Sequence, residues 1–243
     1  MCSQKIEVSQ QRYICYYQAV MAQSGNLEIL YEDELCIVVN KPAGLAVQGG
    51  KGINRSLDSM LGGMFSQRPL LVHRLDRDTS GIVLVAKTKE AAARYSRLLA
   101  RDSIPHSSFP VKKYLAVCSQ RPAGEQGIIS LELSFHGSVK KCETSYRLLK
   151  VFSGAQEYSL LELELGTGRM HQIRRHLAMI GSPILGDDKY GNFTLNHQLR
   201  KTMKLRNLLL HASELIIPET PDGARLEILA PPPDYFLDFI KPT

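Results

Sequence analysis

The stretch that most constrains this chain is residues 71–87, Leu-Val-His-Arg-Leu-Asp-Arg-Asp-Thr-Ser-Gly-Ile-Val-Leu-Val-Ala-Lys. Its second half reads as a buried strand: Ile82 to Ala86 is an unbroken apolar run, opened by Gly81 and closed by Lys87. Its first half carries four charges in five residues, Arg74, Asp76, Arg77 and Asp78, followed by Thr79, Ser80 and Gly81 as turn residues. Charges moved towards a core cost free energy unless they are paired or used. A solvated turn with a surface ion pair is the plainer reading of such a loop. The density of charge against apolar sequence on both sides points instead to a rigidly held loop at the mouth of a cleft, with Asp76 as the candidate catalytic carboxylate.

Around this stretch the chain reads as α+β. Leu27, Ile29 and Tyr31 alternate as a strand, and Leu35 to Val39 is a second, buried one, stopped by Asn40-Lys41-Pro42-Ala43-Gly44. Ser56 is placed to cap a short helix with Leu57, Met60 and Leu61 on one face. Residues 89–101 have a helical composition with Arg94, Arg97 and Arg101 as a solvated face, and 102–110 form a loop. Val111 to Val117 reads as a strand that puts Lys112 and Tyr114 on one face. Residues 127–165 read as an antiparallel meander, with Lys140 and Lys141 at an exposed hairpin tip. In 166–191, Ile173, Leu177 and Ile180 recur at helical spacing, which predicts a helix starting close to Arg169 and stopping at Gly181. Strands over Leu208–Ile217 and Arg225–Ala230 and a short helix with Tyr235, Phe236 and Phe239 complete the chain.

Three runs carry a resemblance. His73-Arg74-Leu75-Asp76-Arg77-Asp78-Thr79-Ser80-Gly81, Lys112-Lys113-Tyr114-Leu115-Ala116-Val117 and Gly168-Arg169-Met170-His171-Gln172-Ile173-Arg174-Arg175-His176 resemble, in order, the motifs of the RluA-type RNA pseudouridine synthases; Asn40 to Leu45 is similar to a further feature beside that family's active-site cleft. The resemblance runs from Leu27 to about Phe239. It implies the pseudouridine synthase fold, a mixed, mostly antiparallel sheet bent around a central cleft with flanking helices. It implies Asp76 as the essential catalytic residue, Arg174 as its partner, Tyr114 stacked on the target base, and Arg74 assisting eversion of the uridine. Arg77, Lys112, Lys113, Arg169, His171 and Arg175 are candidate RNA contacts. Two departures are visible: Met170 replaces the usual Thr or Ser, and Arg175 sits where an aliphatic residue is usual. The first alters a local hydrogen bond and the second adds a possible RNA contact, without removing a catalytic group.

The implied reaction moves no electrons to or from an outside group, so no cofactor is expected. His171 and His176 lack the spacing and the intervening Glu of a zinc-protease motif, and the five scattered cysteines contain no Cys-x-x-Cys pair, so no metal is expected either. The odd cysteine count, the absence of a secretory signal at 1–11 and the lack of any membrane-length apolar run point to a cytoplasmic protein with no membrane association. A net charge of +6 suits a polyanionic partner. Residues 1–26 read as an arm and 27–243 as the catalytic domain, which leaves RNA recognition to the catalytic domain itself, acting as a monomer. Within the family the chain is most similar to members without an N-terminal RNA-binding domain. Ribosomal RNA of the large subunit is the first expected substrate and transfer RNA the second. A non-catalytic RNA-binding module is the alternative from another class. A nucleosidase would need two placed carboxylates, and a serine hydrolase would need Gly-x-Ser-x-Gly.

Overall fold

The structure, a computed structural model, describes residues 27–50, 52–100, 109–135, 138–153, 156–166 and 168–241, without the side chains of 133–135 and 138–140. The arm over 1–26 and most of the loop over 102–110 lie outside the described residues. The chain forms two compact units, one of residues up to Leu75 with Gly81–Pro110 and Ser213–Pro231, the other of Asp76–Ser80, Val111–Ala212 and Pro232 onward.

In the first unit, β1 (Glu28–Glu32), β2 (Cys36–Lys41) and β4 (Ser80–Ala86) pair antiparallel in that order, and β3 (Leu70–Leu71) pairs with β4. Every residue of β4 is buried, as its unbroken apolar run predicts. The reason is that the strand is covered on both faces. Ile82, Leu84 and Ala86 pack with Cys36, Val38 and with Ala91, Tyr95 and Leu99 of α2 (Lys89–Ala100), which recur one helical turn apart. Val83 and Val85 pack with Ile37, Val39 and with Leu57 and Leu61 of α1 (Leu57–Met64). Burying one such side chain is worth about 1.5–3 kcal/mol. Ser56 caps α1 as expected: its hydroxyl accepts the Ser59 N–H at 3.2 Å, and the Ser59 hydroxyl accepts the Ser56 N–H at 3.0 Å. Lys41, at the end of β2, is wholly buried; its Nζ donates to the carbonyls of Pro42 (3.0 Å) and Leu45 (2.9 Å), so it ties down the turn that Pro42 begins. The C-terminal half of β9 (Leu210–Ile217) pairs antiparallel with β10 (Leu226–Leu229).

In the second unit, β5 (Val111–Cys118), β8 (Tyr158–Leu165), β7 (Ser138–Phe152) and β6 (Gln126–Phe135) form an antiparallel set in that order. Leu161, Leu163 and Leu165 are buried while Glu162 and Glu164 are only partly so, the one-sided alternation expected of β8. The hairpin is longer than its apolar run suggests. Phe135 pairs with Ser138, and Lys141 lies within β7 opposite Glu132, its Nζ 3.2 Å from Glu143, so the reading of Lys141 as a hairpin tip is corrected. Helices α3 (Gln172–Met179), α4 (Phe193–Thr202) and α5 (Asp234–Ile240) complete this unit.

α3 is fastened to β7 by polar side chains. Gln172 Nε2 donates to Glu143 O at 2.9 Å and to Thr144 Oγ1 at 3.1 Å, and His176 Nδ1 lies 3.0 Å from the same hydroxyl. The Thr144 hydroxyl thus ties Gln172 and His176, on one face of α3, to β7. Burial, and then the neighbouring Arg175 charge, hold the His176 imidazole below its ordinary pKa, which favours the neutral ring.

Candidate active site

The site is assembled from the loop before β4, the start of α3 and the loop between α3 and α4. Asp76 opens a tight turn in which the Thr79 N–H bonds to the Asp76 carbonyl at 3.2 Å. Arg77 and Asp78 face solvent and approach one another at 3.6 Å, a surface pair of little energetic weight. Ser80 turns inward: its Oγ lies 2.9 Å from His211 Nδ1 and accepts the Tyr235 hydroxyl at 3.3 Å. His211, wholly buried and tilted against Phe236, therefore serves the packing of this turn.

The helix expected from Arg169 begins at Gln172 instead. Residues 169–172 make a tight turn, with the Gln172 N–H bonded to Arg169 O at 3.0 Å and the Arg169 N–H bonded to Gln172 Oε1 at 3.1 Å. His171 precedes the helix with φ 53°, a left-handed conformation that an L residue other than glycine seldom adopts. Strain of this kind costs on the order of 1–3 kcal/mol and concentrates at functional sites. The conformation sets His171 Nε2 3.8 Å from Asp76 Oδ1, while Nδ1 lies 3.1 Å from the Tyr190 hydroxyl.

Arg174, one turn further on, is 3% exposed, too deep to remain charged without a carboxylate. The resemblance implied Asp76 as that partner. Arg174 Nη1 does stand 3.9 Å from Asp76 Oδ2, but its close partner is Asp187, bonded in the bidentate fork-to-carboxylate geometry at 2.8 Å from Nε and 2.8 Å from Nη2. Asp188 adds a contact at 3.2 Å, and the Tyr190 ring stacks at 5.4 Å from the guanidinium carbon. Asp187 is as buried as Arg174, and its carboxylate also accepts the N–H groups of Lys189 (2.8 Å) and Tyr190 (2.9 Å). Burial alone would raise its pKa; the Arg174 hydrogen bonds and the two backbone donors outweigh this and hold it below the usual carboxylate range. Burial likewise opposes the charged guanidinium, and Asp187 more than offsets it. The pair is thus a fixed post from which one guanidinium edge faces Asp76, whose side chain is 24% exposed rather than fully buried.

Tyr114, on β5, is buried, and its phenol is pushed above its ordinary pKa by burial and then by the negative charge of Asp76. That shift opposes use of the phenolate as a base and leaves an uncharged ring. Of the candidate RNA contacts, Arg74, Arg77 and Arg169 are exposed, while Lys112, Lys113 and Arg175 are partly buried. His171, also one of them, stands 3.8 Å from Asp76. Among the described residues, no three His, Cys, Asp or Glu side chains are placed to hold a metal ion, and no helix is long and apolar enough to cross a membrane.

The profile of the RNA pseudouridylate synthase family matches residues 35–179, more than half of the chain and including Asp76, Tyr114, His171 and Arg174. The chain belongs to this family. The synthase is 36% identical over 222 residues to the ribosomal large subunit pseudouridine synthase C of Rickettsia bellii, covering 86% of this chain and 69% of that protein. It is 31% identical over 245 residues to the RNA pseudouridine synthase YlyB of Bacillus subtilis, covering 91% and 74%. Human RNA pseudouridylate synthase domain containing 4 shares the fold, with a TM-score of 0.69 at 24% identity over 95% of each chain. The α+β fold and mostly antiparallel sheet read from the sequence are therefore those of an RNA pseudouridine synthase.

Asp187, Asp188 and Tyr190 were not among the residues singled out from the sequence. A signal for them exists. A buried arginine needs a carboxylate, and Asp187 and Asp188 are the only acidic residues between Leu165 and Glu214.

The geometry also makes a prediction for His171. Burial foremost, then Arg174 and Lys189, lower its pKa, while Asp76 and Asp187 oppose the shift. In an NMR titration the His171 ring is expected to protonate below the ordinary value of about 6.5. Asp76→Asn removes a charge that favours the imidazolium, so the midpoint should fall further. A midpoint at or above the ordinary value, or a rise in Asp76→Asn, contradicts this arrangement.

Proposed function

We propose that the synthase converts a specific uridine of large-subunit ribosomal RNA to pseudouridine, with Asp76 as the catalytic carboxylate and the target base everted from its stack. The observation that carries the reading is the placement of the Asp76 carboxylate beside a guanidinium that another carboxylate already neutralises. Asp187 takes up most of the charge of Arg174 and locks its orientation. The Nη1 edge of Arg174 therefore faces Asp76 in a fixed orientation without closing over it, and the Asp76 side chain stays open to a substrate.

The chemistry that follows is an isomerisation in which the atoms of the substrate balance. The bond from uracil N1 to ribose C1′ breaks, the base turns, C5 joins C1′, the C5 proton leaves and N1 takes up a proton. Loss of the glycosidic bond develops positive charge on the sugar, which an ionised carboxylate stabilises or traps. Asp76 acts in one of two ways, by attack at carbon or by removal of a ribose proton, and both need it ionised. His171 Nδ1 lies 3.1 Å from the Tyr190 hydroxyl; when that hydroxyl donates to it, Nε2 carries the proton into the space beside Asp76, where it serves a uracil carbonyl. Tyr114 supplies a neutral flat surface for the base. Eversion of the uridine costs a few kcal/mol, and phosphate contacts from Arg74 and its basic neighbours repay it.

The ribosomal assignment rests on the relatives named for the large subunit. Pseudouridine mapping of total RNA from cells with and without this protein tests it. The expected result is one large-subunit position that disappears without the protein, returns with the wild type and stays absent with Asp76→Ala. A lost position in transfer RNA alone would refute the ribosomal target while keeping the chemistry, and an unchanged map would refute both.

A further inference from the structure

Helix α4 has an inner face built into the fold and an outer face that the active site does not use. Leu195, Asn196 and Leu199 are buried. Asn196 accepts the Gly186 N–H at 2.9 Å and donates to the Asp187 carbonyl at 2.9 Å, which bolts the helix to the loop that grips Arg174. On the other side, Phe193, His197, Arg200 and Lys201 stand at i, i+4, i+7 and i+8, one continuous stripe, and all four are exposed. Phe193 is 60% exposed, an unusual position for a phenyl ring on a helix that has an apolar side to bury it. The chain then turns through Lys204 in the left-handed conformation (φ 56°), where glycine is the usual residue after a helix, and exposed Arg206 follows.

From Lys189 to Ser213 the chain contains no Asp or Glu. None of Lys189, Arg200, Lys201, Lys204 and Arg206 forms an ion pair with a described carboxylate. Interaction with the helix macrodipole accounts for cations in the last turn of α4. It does not account for the phenyl ring on the same stripe, for a lysine in the strained position, or for the absence of any carboxylate. The exposed face of α2, by comparison, mixes Glu90 with Lys89, Arg94 and Arg97.

We propose that the outer face of α4 and the turn after it form an RNA-docking surface adjoining the active site. Arg200, Lys201 and Lys204 meet successive phosphates, and Phe193 stacks on an unpaired base beside the target. The proposal rests on the reading of the protein as an enzyme acting on RNA. It extends that reading by placing a substrate contact on a helix outside the three motifs that identify the family.

The test uses the full-length protein, an in-vitro transcript of large-subunit ribosomal RNA, binding titrations over a range of salt, and a pseudouridine assay of the wild type. R200Q/K201Q/K204Q is expected to raise Kd about tenfold near physiological salt and to flatten the slope of log K against log salt by about 2, the share of three phosphate contacts. F193A should weaken binding with no change of slope. K89Q/R97Q, which removes charge from α2, should leave both quantities as they are. These side chains are exposed, so thermal unfolding should coincide with the wild type and exclude misfolding. If the triple variant binds with wild-type affinity and slope, or if K89Q/R97Q loses as much, the surface assignment is wrong while the enzymatic reading stands. If the wild-type protein forms no pseudouridine in ribosomal or transfer RNA, the enzymatic reading fails and takes this inference with it.

Discussion

Asp76→Asn is expected to lower turnover by about 10³-fold or more, while the variant still binds RNA. The substitution keeps the shape of the side chain and removes the charge. Arg174 Nη1 and His171 Nε2 then face a neutral amide at 3.9 Å and 3.8 Å, and the positive charge developing at C1′ has no carboxylate to meet it. The backbone turn that presents the residue does not use its side chain, because Thr79 bonds to the Asp76 carbonyl, so the loop should persist. The outcome also separates the two classes of reading raised by the sequence. A non-catalytic RNA-binding module would be indifferent to this substitution, whereas single-turnover assays with excess enzyme should show an enzyme that has lost its chemical step.

The second large effect is expected at a residue that the resemblance does not assign. Asp187→Asn should destabilise the fold by about 3–5 kcal/mol, because it leaves the Arg174 charge buried without its bidentate carboxylate. It should also lower turnover by about 10- to 100-fold, since a displaced guanidinium no longer faces Asp76 in a fixed orientation. Acid distinguishes this from a generic packing defect. The Asp187 carboxyl sits below its ordinary pKa in the folded protein, so the unfolded chain binds the extra proton first as pH falls. Its contribution is complete above the unfolded value of about 3.9 and declines below it towards the folded value. Urea midpoints of wild type and variant should therefore differ most near neutrality and converge as pH drops below about 4. A gap that stays constant down to pH 3, or no gap at all, would remove Asp187 from this role.

How much of this was legible in the sequence depends on the range of the interaction. β4 and α2 were read correctly because local sequence decides them: an apolar run between Gly81 and Lys87, and a helix-forming composition over 89–101. The start of α3 was misplaced because hydrophobic spacing says nothing of a left-handed residue, and His171 interrupts the helix with a backbone conformation its side chain does not announce. α4 was not read as a helix. Only Leu195 and Leu199 mark its buried face, and its firmest anchor is a polar residue, Asn196. The density of charge against apolar sequence pointed to Asp76, whereas Tyr114 and Arg174 came to attention through resemblance alone. The Arg174–Asp187 bond spans 13 residues and depends on the path of the chain between α3 and α4, which a one-dimensional pattern does not fix.

The most direct measurement follows the hydrogen that the reaction must expel. Purified protein is mixed with large-subunit ribosomal RNA whose uridines carry tritium at C5, and released tritium is counted alongside the pseudouridine formed. The account predicts equal amounts of the two from the wild type at one position and neither from Asp76→Ala. Release and product at the wild-type rate without the Asp76 carboxylate would contradict it.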